Sequence, residues 1–434
     1  MWQCSGLFRL WMVLVFLCLC SCHDDNQPSP EDLDETRSHT VLVYMAAENS
    51  MAPFATTTVS DTPPDINEML AAKSSLTPND RLVLYLDDQG SPRIYVITNE
   101  TKALKYSELT PVHTFSSELN SASATTLADV YSYVRKHYPA DEYGLICWSH
   151  GTGWIPSTYP TDPGCLQYNT SSSEESVAPR RSFAIDNEKN SVNNTGHQMN
   201  IQDMAAALKD APPFDFILFD ACLMQCVEVA YELRHCTHYI IASPAEIPGP
   251  GAPYHDILPI VFDDSKSSVE IADVYFKYYS NSSYGSVLSV VDCTQMDAFA
   301  QYMRGVISKY RECLLSMSYD NILNYFPPYD NYSSYGLGVT DFYDIRGLML
   351  RLLPEEEYAE WNEWCNRLLV KQLYASFWYS NLPYSSYGGR TYLVDEIQYS
   401  GMSMFVPLSK YDADTWNFNA AYLETAWGKD VWKE

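Results

Sequence analysis

The sequence predicts an α/β protein whose helices cover both faces of a mostly parallel sheet. Short β-branched or aromatic runs alternate with longer helical stretches from Thr40 onward, which is typical of chains that build parallel sheets. Hydrophobic residues make up 46% of the chain and charged residues only 19%, which argues against global disorder. With 434 residues, the chain is long enough for about two or three domains.

The individual elements follow from local sequence patterns. Strands are predicted at residues 41–45, 82–86, 94–98, 143–148, 214–219, 239–242 and 401–406. Apolar residues at helical spacing predict helices at residues 125–137, 202–208, 223–233, 269–279, 294–315 and 355–378. A long polar insertion at 156–194 breaks the alternation, and such insertions are usually functional or mobile. In a parallel sheet, we expect the active site at the carboxyl ends of the strands.

The N-terminus has the features of an export signal. Arg9 precedes an apolar run at residues 10–20, which is too short to span a bilayer. Residues 19–22 (LCSC) resemble a bacterial lipobox, which implies cleavage and lipidation at Cys22. Residues 23–25 (HDD) then resemble the surface-export signal of Bacteroides-type lipoproteins. The alternative is an ordinary secretory peptide with incidental cysteines.

Charge and cysteine content exclude several classes of function. Lys and Arg number 27 against 55 Asp and Glu, so the net charge of -28 disfavours binding to nucleic-acid phosphates. Of the 12 cysteines, those beyond the leader form no CxxC pair and no Cys/His zinc spacing. We therefore expect neither a disulfide scaffold nor a metal site. Most of these cysteines are predicted to be small buried core residues.

Two of the predicted strands stop at residues that can act as a nucleophile and a base. The strand at 143–148 runs into SHGTG, and the strand at 214–219 runs into DACLM. The dipole of the helix predicted from residue 223 would favour a thiolate at Cys222. His150 can take and return a proton, and Gly151 can offer a backbone N–H to a developing oxyanion. Either residue alone is more often part of a core, but together they predict a Cys–His dyad for acyl transfer.

These residues resemble the clostripain family of cysteine peptidases. The resemblance rests on SHGTGW at 149–154 and on FDACLM at 219–224 with Glu228 downstream; it extends to residues 43–51, 241–254, 401–407 and 422–427. It implies a caspase-like three-layer α/β/α sandwich with a C-terminal α/β extension. It also implies an endopeptidase that cuts after Arg or Lys, with His150 as the base and Cys222 as the nucleophile. The backbone N–H groups of Gly151 and Cys222 would then hold the oxyanion.

The resemblance also assigns substrate recognition to acidic residues. Asp220 matches the carboxylate that pairs with a basic P1 side chain, and Glu246 is the second candidate. Alternatively, Asp220 is the N-cap of the following helix. Residues 243–246 (SPAE) depart from the family pattern, and a Trp near Tyr254 is missing, so the pocket wall and the choice between Arg and Lys stay open. Some family members use calcium, but the sequence contains no EF-hand loop, and no cofactor is predicted.

The predicted organisation has four parts: a signal peptide at 1–21, an acidic, Pro-rich tether at 22–38, a caspase-like catalytic domain at 39–262 and a C-terminal α/β region at 263–434. We expect a monomer, lipid-anchored at the cell envelope or outer surface, that acts on proteins or peptides with Arg or Lys. One alternative is a catalytically silent peptide-binding lipoprotein on the same fold. Another is a cysteine peptidase with a different P1 specificity.

The polar insertion also contains candidate sites for self-cleavage. Clostripain-like enzymes resemble caspases in being cut between the His and Cys segments. Arg180 and Arg181 follow Pro179 in the insertion, where the backbone is expected to be exposed, and Lys189 is a lesser candidate. Lys209 lies in a predicted helix and is a poor site. The alternative is a loop that stays uncut.

Overall fold

A ten-stranded sheet runs through the protein in a computed structural model of the chain. The structure describes residues 37–59, 62–88, 90–156, 183–187, 196–326, 341–380, 390–412 and 418–433. The strands in these ranges are β1 (His39–Ala46), β2 (Arg81–Asp87), β3 (Arg93–Ile97), β4 (His113–Thr114), β5 (Glu142–Trp148), β6 (Phe183–Asp186), β7 (His197–Met199), β8 (Phe214–Asp220), β9 (Thr237–Ala242), β10 (Gly285–Asp292), β11 (Tyr343–Asp344), β12 (Leu369–Ser380), β13 (Arg390–Leu393) and β14 (Ser403–Met404).

The centre of the large sheet is parallel. Its strand order is β13-β12-β10-β9-β8-β5-β1-β2-β3-β4, and the neighbours from β9 to β2 pair in parallel. Antiparallel strands extend the sheet on both sides, with β10, β12 and β13 beyond β9 and with β3 and β4 beyond β2. The carboxyl ends of the parallel strands therefore meet at one edge, where α/β proteins place their sites.

Helices cover both faces of this sheet. They are α1 (Ala52–Thr56), α2 (Asp65–Ala71), α3 (Ala124–His137), α4 (Ile201–Leu208), α5 (Val227–Leu233), α6 (Tyr254–Val261), α7 (Glu270–Ser280), α8 (Met296–Ser316), α9 (Ile345–Leu352), α10 (Glu355–Leu368) and α11 (Phe418–Tyr422). Leu42 and Tyr44 of β1 face the core that α3, α4 and α5 cover, whereas Val43 and Met45 face the core of α2, α6 and α7. The predicted three-layer α/β/α sandwich is confirmed.

Helix α3 illustrates how local sequence determines these elements. The hydroxyl of Ser123 accepts a hydrogen bond from the backbone N–H of Thr125 and caps the helix. Leu127, Val130 and Val134 recur at helical spacing and are buried. The prediction at 125–137 is therefore correct to within one residue.

The prediction of a helix at 355–378 is wrong in its second half. Helix α10 ends at Leu368, and the chain continues as strand β12 to Ser380. In the helical half, Trp361, Cys365 and Leu368 are buried at helical spacing. The following residues are rich in aromatic and branched side chains, and they pair antiparallel with β10, a strand that local pattern did not reveal. A partner distant in the sequence therefore decides the conformation of this segment.

The late strand predicted at 401–406 is much shorter than expected. Only Ser403 and Met404 are paired, as β14 against β11, and Gly401 has a positive φ of 83°. A side chain at Gly401 would also contact Ser289 at 2.8 Å, so only glycine fits this turn.

The C-terminal part of the chain contributes to the same sheet as the N-terminal part. Strands β10, β12 and β13 follow β9 directly in the strand order. The domain boundary predicted at residues 262/263 stays a prediction. Within the part of the chain that the structure describes, no helix combines the length and apolar character needed to cross a membrane.

Candidate active site

His150 and Cys222 lie at the ends of neighbouring parallel strands. Trp148 at the end of β5 pairs in register with Asp220 at the end of β8. His150 and Cys222 each follow two residues beyond this pair. Because adjacent strands are about 4.8 Å apart, the two residues follow strand ends that lie side by side. The prediction that two strand ends bring these residues to one edge therefore agrees with the topology.

Gly151 packs closely against the backbone of the Cys222 turn. A methyl group added at Gly151 would lie 2.8 Å from the carbonyl oxygen of Cys222 and 2.9 Å from Sδ of Met224. Such distances exclude any side chain at residue 151 unless the turn moves. The glycine after His150 thus allows the two strand-end segments to touch.

The helix expected directly after Cys222 begins later than predicted. Helix α5 starts at Val227, so its dipole does not act on the Cys222 thiol, and Cys226 is the N-cap instead of a residue one turn into the helix. Leu223 has a positive φ of 62°, which turns the chain sharply after Cys222. Its backbone N–H donates to the carbonyl of Ala245 at 2.9 Å. Contacts from a distant loop therefore fix the conformation of this turn.

His150 has a hydrogen-bond partner that the sequence did not indicate. Nε2 of its ring lies 3.0 Å from the hydroxyl of Ser50, which precedes α1. The backbone carbonyl of His150 accepts a hydrogen bond at 3.2 Å from the N–H of Ala184 in β6. Two segments that are distant in the sequence thus hold the imidazole and its backbone.

Other residues of the sequence motifs form one buried cluster behind the strand ends. Trp154 packs against Phe405 and Tyr422, with ring centroids 4.7 and 5.1 Å apart. Glu228 in α5 is fully buried, and its carboxylate accepts a hydrogen bond at 2.9 Å from the backbone of Phe405. Burial raises the pKa of Glu228 to about 7. Segments near residues 154, 228, 405 and 422 therefore support the site without lining it.

Asp220 lies beneath the strand ends as a buried hydrogen-bond acceptor. Both of its carboxylate oxygens accept the N–H of Ala252 at 3.0 Å, and the hydroxyls of Tyr254 and Tyr275 donate to it at 2.8 and 3.4 Å. Gly251, at φ 72°, lies so close that a methyl group there would be 2.7 Å from Oδ2. Because α5 begins only at Val227, the alternative of a helix N-cap is wrong for Asp220.

A second buried carboxyl, Asp65 at the start of α2, lies near Asp220. Burial raises the pKa of Asp220 to about 6, and burial together with the charge of Asp220 raises the pKa of Asp65 well above its usual value. Asp65 accepts a hydrogen bond at 2.7 Å from the indole of Trp148. Asp220 has more donors than this, and these donors favour its ionised form.

A cleft of about 280 Å³, including its open mouth, is lined by Tyr275, which contacts Asp220; Asp220 itself is not part of the lining. Its lining includes Tyr275, Glu246 and Trp378. Tyr275 connects the cleft to Asp220, because its hydroxyl donates to that carboxylate. Glu246 accepts a hydrogen bond at 2.6 Å from the hydroxyl of Ser380 in β12. The Trp that the family pattern places near Tyr254 is absent from this sequence. A different tryptophan, Trp378, lines this cleft.

Most other described cysteines are unsuitable as nucleophiles. Burial raises the pKa of five of them above the usual thiol value; these are Cys147, Cys226, Cys236, Cys293 and Cys365. Cys222 is partly exposed, and Cys313 is exposed on α8. The expectation of a core role is therefore correct for these five.

Several predicted site residues lie outside the described residues. They are Cys22, Arg180, Arg181 and Lys189. Conversely, the structure adds Ser50, Asp65, Tyr275 and Trp378 to the site, and the sequence analysis missed all four. Tyr275 and Trp378 sit in patterns typical of core residues, so no local signal distinguishes them.

The fold and the site together define a caspase-like α/β protein with a cysteine and a histidine at adjacent strand ends. The chain belongs to the Clostripain family, peptidase group C11, whose model matches residues 43–432. Clostripain of Hathewaya histolytica is 24% identical over 246 residues, which cover 53% of this chain. This alignment spans only 43% of the length of that relative.

Two solved structures resemble the whole described fold. An inactive zymogen C11 protease from Parabacteroides distasonis is 28% identical with a TM-score of 0.71, covering 92% of this chain and 99% of that one. A secreted C11 cysteine protease from Bacteroides thetaiotaomicron, solved with an irreversible peptide inhibitor, is 28% identical with a TM-score of 0.69. That match covers 91% of this chain and 98% of the relative. The caspase-like fold implied by the sequence motifs is confirmed.

Proposed function

We propose that the protein is a cysteine endopeptidase that hydrolyses peptide bonds after Arg or Lys. The observation that carries the proposal is the position of His150 and Cys222, each two residues beyond the register pair Trp148–Asp220. Membership of the Clostripain family supports the reaction class. The buried carboxylate of Asp220, which accepts a hydrogen bond from the cleft residue Tyr275, supports the preference for a cation at P1.

In the proposed reaction, the thiol of Cys222 gives its proton to His150 and its sulfur attacks the peptide carbonyl carbon. The negative oxygen that forms is held by the backbone N–H groups of Gly151 and Cys222. When the C–N bond breaks, His150 returns the proton to the leaving amine. A water molecule, deprotonated by His150, then hydrolyses the thioester and releases the carboxylic acid. Ser50 positions the imidazole through its hydrogen bond to Nε2.

The proposed P1 site uses the acceptor capacity of Asp220. A carboxylate can accept about four hydrogen bonds, and one backbone amide and two tyrosine hydroxyls already orient it. An ammonium or guanidinium group entering the cleft would pair with the remaining capacity. Glu246 at the cleft wall is the second acidic group available.

Reporter peptides that differ only at P1 test this function. We expect turnover with Arg and Lys and little with citrulline, which has the shape of arginine without its charge. The control is the Cys222→Ala variant on the same panel. Equal turnover of arginine and citrulline peptides would reject the basic preference, and turnover of none would favour a silent peptide-binding protein.

We expect the mature protein to carry a lipid at Cys22. The protein produced in a Gram-negative host should partition into detergent, and Cys22→Ala should remain unprocessed or be released as a soluble form. Mass spectrometry of the mature N-terminus measures this directly. An unlipidated N-terminus at another residue would exclude the lipid anchor. The proposal of export would remain, because a similar C11 protease is secreted.

We expect self-cleavage after Arg180 or Arg181, with Lys189 as the lesser site. Phe183, which begins β6, pairs with Gly151, and Arg180 and Arg181 precede Phe183 by three and two residues in the sequence. The existence of a C11 zymogen supports such activation. N-terminal sequencing should find Arg181 or Ser182 as a new terminus in the active protein and an intact chain in Cys222→Ala. A fully active chain that stays intact would contradict self-cleavage.

A further inference from the structure

A fully buried asparagine, Asn49, lies one residue before the serine that contacts His150. It belongs to the turn between strand β1 and helix α1, and none of its surface is exposed. An amide side chain has two donor hydrogens and an acceptor oxygen, and each of these groups is costly to bury without a partner. The partners of Asn49 therefore show which parts of the chain this residue holds together.

The amide of Asn49 joins the turn after β1 to strand β6. Its Nδ2 donates to the carbonyl of Ala46 at the end of β1 at 2.8 Å and to the carbonyl of Ile185 in β6 at 2.9 Å. Its Oδ1 accepts the backbone N–H of Met51 at 2.9 Å. The side chain thus fixes the turn on both sides of Asn49 and anchors it to a segment 136 positions away in the sequence.

Ser149 ties the same segments together from the end of β5. Its hydroxyl donates to the carbonyl of Ala46 at 2.8 Å and accepts the N–H of Ile185 at 3.2 Å. The hydroxyl also lies 3.3 Å from Nδ2 of Asn49, and Ser149 is buried. Asn49 and Ser149, which we call the strand-end network, therefore contact each other and share two backbone partners.

The residues that follow the strand-end network are the two that meet at the imidazole. Ser50 directly follows Asn49, and its hydroxyl lies 3.0 Å from Nε2 of the His150 ring. In the same way, His150 directly follows Ser149. Ser50 is exposed, so the place of its hydroxyl follows from the backbone of the turn that Asn49 fixes.

We propose, on the basis of the proposed function, that Asn49 is a positioning residue of the dyad that acts through Ser50. A serine hydroxyl can accept the Nε2–H of an imidazole, which leaves Nδ1 to take the proton of the Cys222 thiol. The hydrogen bond strengthens when the ring gains that proton, because charged donors form stronger hydrogen bonds than neutral ones. Asn49 keeps the hydroxyl where the ring needs it.

An orienting contact of this kind matters because the dipole of α5 does not act on the thiol. Helix α5 begins only at Val227, beyond the turn that contains Cys222. The imidazolium of His150 can favour the thiolate instead. It does so best when its ring is held in one orientation, since proton transfer depends strongly on geometry.

Other ionisable groups lie on the segments next to His150. Glu48 precedes Asn49 in the turn after β1, Asp186 ends β6 and Asp220 ends β8. These carboxyl groups are the same in every variant compared below. A difference in pH dependence between the variants therefore reports the contact with Ser50.

Ser50→Ala tests the contact at an exposed position. We expect kcat with an arginine reporter peptide to fall about tenfold at unchanged KM, because proton transfer loses its orientation while binding does not. The melting temperature should not change. Ser50→Thr, which retains the hydroxyl, should keep most of kcat, and Ser316→Ala, at an exposed serine on α8, should change nothing.

The pH profile gives a readout that a merely structural role would not move. In Ser50→Ala, the basic limb of kcat/KM should shift to lower pH by about half a unit, because the imidazolium loses an acceptor that solvent replaces only in part. The acidic limb should stay in place. A fall in kcat with an unchanged profile and no rescue by Ser50→Thr would contradict the contact.

A double variant decides whether Asn49 acts through Ser50. Asn49→Ala should lower both the melting temperature and kcat, because two buried carbonyls lose a donor. In that background Ser50→Ala should lower kcat by at most about threefold, whereas independent effects would multiply. If Asn49→Ala does not fold, Ser149→Ala takes its place. Effects that multiply, or full kcat in the destabilised variant, would overturn the proposal.

A measurement without hydrolysis separates this inference from the proposed function. Nuclear magnetic resonance of Cys222→Ala labelled with ¹⁵N-histidine follows the protonation of the ring, and His150→Gln identifies the signal. We expect the ring to lose its proton at a lower pH when Ser50→Ala is added. That shift without any peptide hydrolysis would support the contact and reject the function. Equal titration curves, together with unchanged kcat in Ser50→Ala, would reject the role of Ser50 and leave the dyad intact.

Discussion

Cys222→Ala is expected to reduce peptide hydrolysis to background while the fold persists. Without the thiol no thioester can form, and loss of a catalytic nucleophile typically lowers turnover by about 10⁴–10⁶-fold. The side chain is partly exposed, so its truncation removes little packing. The measurement is kcat/KM with an arginine reporter peptide, together with the melting temperature. Cys222→Ser should also be inactive, because a serine hydroxyl beside the same base is a much poorer nucleophile.

Two other cysteines provide matched controls for this result. Cys313→Ala alters an exposed thiol on α8 and should leave both activity and stability unchanged. Cys226→Ala should keep activity, with a modest loss of stability because the thiol is fully buried at the N-cap of α5. Hydrolysis that survives in Cys222→Ala, or that disappears in Cys313→Ala, would contradict the assignment of the nucleophile.

The sequence predicted the parts of the fold and site that depend on local pattern. The strand ends at Trp148 and Asp220 are visible because each apolar run stops at polar residues. The conformation after Cys222 was not predictable in this way, because the positive φ of Leu223 depends on a hydrogen bond to Ala245. Spacing alone favoured a helix there, and tertiary contacts override such propensities.

The substrate cleft was less predictable than the dyad for the same reason. Tyr275 lies on α7 with the spacing of a core residue, and its contact with Asp220 joins residues 55 positions apart. Trp378 lies in a strand that was predicted as a helix. Asp65 pairs with Trp148 across 83 residues. Residues of this kind become part of a site only through packing, and a single sequence contains no local signal for them.

Asp220→Asn is expected to remove the preference for a basic P1 residue. Losing one partner of a desolvated charge pair typically costs about 2–5 kcal/mol, which corresponds to a decrease of about 30- to 5,000-fold in kcat/KM for arginine. The ratio of kcat/KM for arginine over citrulline peptides isolates this effect, because the two side chains differ mainly in charge. In the variant this ratio should approach one. Asp65→Asn is the matched control and should retain the preference, since burial and the charge of Asp220 raise the pKa of the Asp65 carboxyl well above its usual range and the amide has the same shape.

The same ratio should depend on pH in the unmodified enzyme. Burial raises the pKa of Asp220 to about 6, so the carboxyl is ionised above that pH and neutral below it. The preference for arginine should therefore be constant above about pH 7 and should fall through pH 6, approaching a tenfold loss per unit of further acidification.

Folding stability changes in the opposite direction for this group: a raised carboxyl pKa means that the folded state binds the proton more tightly, so acidification relieves a buried charge. A loss of preference on acidification therefore cannot result from unfolding driven by Asp220. If the arginine-to-citrulline ratio is flat from pH 5 to pH 8 and unchanged in Asp220→Asn, Asp220 does not recognise P1, and the same comparison with Glu246→Gln tests the second carboxylate.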